Sequence, residues 1–128
     1  NNNNKKNVSC SMKKIEGEFI LVWVVQTSHA AATMHSGPGI ELDDGVFTIY
    51  VVRSMSRCEL LQLLIDIDAG DHVKHDKVEV FKALAYRIEP ETEDNGLMGL
   101  YSLDGELVPY GPIQAAVMPS CANIMKLL

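Results

Sequence analysis

The sequence predicts a mainly β, α+β domain: an antiparallel β-sandwich with one covering amphipathic helix. Three observations carry that expectation. Short β-branched and aromatic runs recur along the chain, separated by Gly-, Pro- and Asp-containing breaks. A single segment, the one after Ser56, combines helical periodicity with start signals. Strands and helices do not alternate, which argues against a doubly wound parallel sheet. The 128 residues are 47% apolar and 22% charged, enough chain for one domain with a real core.

Residues 1–14 are rich in Asn and Lys and read as a disordered linker or insertion, so the domain is expected over 15–128. Glu18 to Gln26 is short and apolar on both faces, the pattern of a buried strand. Thr27 to Gly39 holds Ser28, Ser36, Gly37, Pro38 and Gly39 and reads as loop. Asp43-Asp44-Gly45 has turn chemistry and precedes a strand over Val46 to Val52. Ser56 with Glu59 forms the signature of a capping box. Leu60, Leu63, Leu64 and Ile67 follow at helical spacing, widened by Leu61 and Ile65, and Gly70 is the expected stop. Val78 to Ile88 reads as one long strand or two, ended by Pro90. Beyond an acidic loop and an Asn95-Gly96 turn come strands over Leu97 to Leu103 and Ile113 to Met118, and a candidate last strand over Ile124 to Leu128.

Charge and cysteine content exclude several function classes. The chain carries 11 basic and 17 acidic residues, and four of the lysines lie in the first 14 positions, where there is no acid. No basic face remains for phosphate neutralisation, so no nucleic-acid partner is expected. The longest apolar run, Phe19 to Val25, is far shorter than the roughly 20 residues of a membrane span. Cys10, Cys58 and Cys121 lack close spacing and read as reduced thiols of a cytosolic protein. The chain starts on four asparagines and no initiator Met, as a piece of a longer polypeptide would.

Three features can carry chemistry. Asp104-Gly105-Glu106 either closes a hairpin or turns one or both carboxylates toward a site, where they can hold Mg²⁺ through water or orient a hydroxyl. His72 and His75, flanked by Asp71 and Asp76, lack an evident third metal ligand, so no metal site is assigned. A solvated helix exit suits them better, although His72 alone also suits the mouth of a pocket. The helix leucines read as core, with an excess of apolar surface suited to a hydrophobic ligand. There is no GxxxxGK[ST] loop, no GxSxG elbow and no HExxH.

The blocks GVFTIYVVRSMSRCELLQLLIDIDAGDH (Gly45 to His72), KALAYRIEP (Lys82 to Pro90) and LDGELVPYGPIQAAVMP (Leu103 to Pro119) resemble the C-terminal domain of sphingosine kinases. These belong to the diacylglycerol-kinase-like lipid kinases. The resemblance covers about residues 17 to 127. It implies transfer of the γ-phosphate of ATP, with Mg²⁺, to the primary hydroxyl of sphingosine or a related long-chain base. It also implies a second, N-terminal domain carrying GGDGT and SGDG segments, neither of which is present here. By matching position, Asp104, Gly105 and Glu106 would be the nucleotide-side motif, with Glu106 the catalytic candidate. Leu60, Leu64 and Ile67 would line the lipid tunnel, and His72 would stand at that pocket. Leu64 replaces a Phe of mammalian-type members, which leaves tunnel shape open. The resemblance further implies a cytoplasmic enzyme in peripheral contact with membrane. Other readings are a ceramide or diacylglycerol kinase part, or a non-catalytic sandwich used in association.

Overall fold

A computed structural model describes residues 11–91 and 99–123. Within them the chain runs β1 (Leu21–Val25), β2 (Phe47–Val52), α1 (Arg57–Asp66), a 3-10 turn (Asp71–Lys74), β3 (Val78–Ala83), β4 (Ala85–Ile88), β5 (Tyr101–Leu103), β6 (Glu106–Val108) and β7 (Ile113–Ala116). All pairings are antiparallel. They form a three-stranded sheet β1-β2-β3 and two ribbons, β4-β7 and β5-β6. The mainly β architecture with one α-helix is the expected one.

β2 is the centre of the three-stranded sheet. Its run FTIYVV is β-branched and aromatic and is buried at every position except the half-buried Ile49. Register places Trp23 opposite Tyr50 and Val25 opposite Thr48, so these four share one face with Val52 and Val78. Val25, Tyr50 and Ile40 of the following loop make the core there, joined by Trp23, Val73 and Val78. On the other face Phe47 meets Tyr86 of β4 edge to face, with ring centroids 5.0 Å apart. That contact links the sheet to the β4-β7 ribbon. Near the chain's beginning, Lys13 Nζ stands 4.4 Å from the centroid of the Phe81 ring.

Helix α1 begins where its chemistry says it should. The Glu59 amide donates to Ser56 Oγ at 3.3 Å, and the Ser56 amide donates to Glu59 Oε2 at 2.7 Å. Lys77 Nζ, at the foot of β3, donates to Glu59 Oε1 at 2.7 Å. That ammonium, with the Ser56 amide and hydroxyl, holds the Glu59 carboxyl down to about 2. The stop lies earlier than Gly70. The helix ends at Asp66, and Gly70 at φ +75° instead opens the 3-10 turn. A Cβ there would come within 2.8 Å of His35 Nδ1, so Gly is required twice over.

The 78–88 segment resolves into two strands for a reason visible in its spacing. Phe81 and Ala83 are half-buried, and so are Tyr86 and Ile88. The inward phase therefore slips by one residue at Leu84, and the chain passes from β2 as partner to β7. Several strands are shorter than expected: β1 spans only Leu21–Val25 within Glu18 to Gln26, and β2 begins at Phe47 rather than Val46. β5 starts only at Tyr101, and β7 ends at Ala116 rather than Met118. The Asn95-Gly96 turn and the Ile124–Leu128 strand lie outside the described residues. Among the described residues no helix is long and apolar enough to cross a membrane.

Candidate functional site

Two clusters hold the residues singled out by sequence. The first is the β5-β6 hairpin. Leu103 pairs with Glu106, leaving a two-residue loop of Asp104 and Gly105. Both have positive φ, +49° and +87°, as a type I′ turn demands. Asp tolerates that region and Gly enters it freely, so Asp-Gly folds here for local reasons. The structural and chemical readings of this motif are thus compatible: the turn exists, and it presents both carboxylates. Asp104 and Glu106 are exposed. Among the described residues neither joins an ion pair. Two unpaired carboxylates on one tip suit a hydrated divalent cation. No three His, Cys, Asp or Glu side chains come together among the described residues, so the tip offers only part of a coordination shell.

Alternation along the hairpin places Glu106 on the same side as Leu103, Tyr101 and Val108. Leu103 and Leu107 are 54% and 72% exposed, on a hairpin that among the described residues pairs only with itself.

The second cluster is built on α1 and the 3-10 turn. Leu63 and Ile67 are buried and Leu60 half-buried, whereas Leu61, Leu64 and Ile65 are all more than half exposed. The helix therefore anchors by a narrow stripe and leaves a second apolar stripe outward. Leu60, Leu64, Ile67 and His72 do not form one open lining: Leu64 points out and Ile67 in. A depression of about 310 Å³ lies elsewhere, lined by Arg53, Ser54, Asp76, Lys77 and Glu79. Its charged lining does not suit a lipid tail.

His72 departs from the solvated helix exit expected of it. The 3-10 turn swings it onto the sheet, where only 2% of it is exposed. Its ring centroid lies 5.2 Å from that of Tyr50, edge to face, and 5.9 Å from that of Trp23. Among the described residues both ring nitrogens are buried without a hydrogen bond of good geometry, as are Ser36 Oγ and Thr48 Oγ1, and the Ser36 backbone is the polar group nearest to offering one. Tyr50, Trp23, Ser36 and Thr48 were not singled out by motif. The signal for Thr48 and Tyr50 was there, since they alternate with Val52 on one strand face. His75, by contrast, stays near the surface, its Nδ1 accepting from the Lys77 amide at 3.2 Å.

Burial pushes the His72 imidazole below its ordinary value; the Ser36 backbone opposes, nearby His35 pushes the same way as burial, and Asp66 also opposes. The unfolded chain then binds a proton that the folded chain resists. Stability contributed by His72 is full above about pH 6.5 and falls as pH drops from there toward the folded value. Trp23, the chain's single tryptophan, reports this directly. Denaturation followed by its fluorescence is expected to show lower stability at about pH 5.5 than at about pH 7.5. In His72→Phe that loss is expected to shrink; an equal loss in both proteins would show that His72 is not its source.

The chain matches the family described as YegS C-terminal NAD kinase beta sandwich-like domain over residues 4–126. It is 33% identical over 121 residues to Sphingosine kinase B of Dictyostelium discoideum, covering 92% of this chain and 16% of that protein. Against Sphingosine kinase 2 of Homo sapiens it is 33% identical over 114 residues, 87% of this chain and 17% of that protein. A Diacylglycerol kinase of Staphylococcus aureus is 33% identical over 78 residues, 61% of this chain and 25% of that protein. The chain thus spans 16 to 25% of the length of these relatives. The antiparallel strands, the single α-helix and a match running almost from end to end agree: the chain belongs to the family of YegS C-terminal, NAD-kinase-like β-sandwich domains.

Proposed function

We propose that this chain is the C-terminal, lipid-binding part of an ATP-dependent kinase acting on the primary hydroxyl of sphingosine or a related long-chain base. The observation that carries the proposal is coverage. Likeness to proteins named sphingosine kinase extends over 87 and 92% of the chain, against 61% for the one named diacylglycerol kinase. That shorter likeness supports a second reading, in which the acceptor is diacylglycerol.

In the first reading the outward stripe of α1, with Leu64, forms one wall of a tail-binding pocket, and Leu60, Ile67 and His72 back it. The N-terminal domain that would carry the phosphate loop supplies the other wall, and residues 1–14 lead into the sandwich. Asp104, Gly105 and Glu106 reach the nucleotide side. Mg²⁺ would neutralise charge developing on the transferred phosphoryl group. Glu106 accepts a hydrogen bond, or the proton, from the attacking hydroxyl, and would be the residue on this chain to hold Mg²⁺ through its hydration shell. The new bond joins the lipid oxygen to the γ-phosphorus as the bond to ADP breaks. An amphiphilic acceptor places the enzyme at a cytoplasmic membrane surface, in peripheral contact.

The division of labour is testable. The 128-residue chain alone is expected to transfer no phosphate from radiolabelled ATP to sphingosine, because it lacks a phosphate loop and the SGDG aspartate. A longer polypeptide joining it to such a domain is expected to do so. Turnover above background by the short chain would refute the proposal.

A further inference from the structure

Among the described residues the β5-β6 hairpin hydrogen-bonds to no other sheet, yet it carries the two carboxylates. Something must fix its angle to the sandwich, since a catalytic carboxylate displaced by about 1 Å can cost about 10² in rate. The side chains around its base show what does. The Tyr101 ring lies 5.1 Å from that of Tyr110, tilted by 34°. Tyr110 follows β6 and precedes β7, in the Tyr110-Gly111-Pro112 segment that joins the hairpin to the β4-β7 ribbon. The Tyr110 ring also covers Gly99: a Cβ built there would stand 3.1 Å from Tyr110 Cε2 and 3.4 Å from its hydroxyl. One ring therefore touches Tyr101, the first residue of the strand entering the hairpin, and Gly99 two positions before it, from the segment that leaves the hairpin.

We propose that Tyr110, packed at a tilt against Tyr101 and seated over Gly99, is a positioning residue that sets the hairpin's angle and through it the place of Glu106. Tyr101 lies on the same hairpin side as Glu106, so the Tyr110 ring packed against it braces the side that bears the carboxylate. Packing does the bracing, since among the described residues the Tyr101 hydroxyl is buried without a hydrogen-bond partner. Gly99 matters for its missing side chain, which lets the ring close down on the backbone. The proposal rests on the nucleotide-side role given to Glu106 above.

The test uses the full-length protein that carries this chain. Tyr110→Leu is expected to lower kcat about tenfold or more while leaving KM for sphingosine within about twofold. Tyr110→Phe, which keeps the ring, is expected to restore wild-type turnover. Gly99→Ala, which moves the ring by a few tenths of an ångström without unpacking it, is expected to lower kcat by about fivefold, beyond the roughly threefold range taken as silent. It decides the matter if Tyr110→Leu fails to fold. In the Glu106→Gln background, Tyr110→Leu is expected to add nothing further, since both act through one carboxylate. If Glu106→Gln is severe but Tyr110→Leu and Gly99→Ala are silent, the clamp is wrong and the role of Glu106 stands. Additive losses in the double variant also overturn the clamp. If Glu106→Gln is itself silent, the nucleotide-side reading has failed, and the clamp with it.

Discussion

Glu106→Gln in the full-length protein is expected to cut kcat by on the order of 10²-fold or more, the scale of an acid–base or metal-orienting group, with little change in sphingosine binding. The hairpin geometry makes this a clean substitution. Glu106 is exposed and outside the turn itself, whose conformation depends on Asp104 and Gly105. Gln keeps the size and the strand position and removes only the charge. Folding should survive, so a loss of turnover reads on chemistry. If the motif serves only as a turn, Gln at the position after it should be almost silent. A kcat within about threefold of wild type, roughly 0.65 kcal/mol in the barrier, would decide for the turn alone.

Leu64→Glu is expected to lower kcat/KM for sphingosine by about 10²-fold while leaving KM for ATP near normal. Leu64 is 54% exposed in this chain, so a carboxylate there reaches water and the sandwich should fold. Only when the outward stripe is covered by lipid does the charge have to be buried, at several kcal/mol. Leu63 gives the contrast. It is 3% exposed on the same helix, and Leu63→Glu is expected to unfold the domain, visibly by circular dichroism. Were Leu64→Glu folded and fully active on sphingosine, the outward stripe would not be a lipid wall.

The fold was readable wherever local chemistry decides it. The capping box at Ser56 and Glu59, the β-branched run of β2 and the Asp104-Gly105 turn each specify their own conformation, and each forms as read. The one-residue slip between Ala83 and Tyr86 was also written in the apolar spacing, although it takes the pairing partners to show that it changes sheets. His72 was not legible. The Asp71–Lys74 turn has no periodicity, and the burial of His72 depends on Trp23 and Tyr50, which are 49 and 22 positions away in the chain. The excess of apolar surface on α1 is legible in the sequence, but its direction is not. Leucines at 60, 61, 63 and 64 make a stripe wider than one sheet contact can cover, and sequence alone does not say which half stays outside. The brace at Tyr101 and Tyr110 spans two different elements and has no motif at all.

The most direct test of a sphingoid-base kinase is the acceptor itself. The full-length protein, given radiolabelled ATP and equal mole fractions of sphingosine, ceramide and diacylglycerol in the same detergent micelles, is expected to label sphingosine with a kcat/KM at least about tenfold above either two-chain lipid. Equal or preferential labelling of ceramide or diacylglycerol, or no labelling of any of the three, would contradict it.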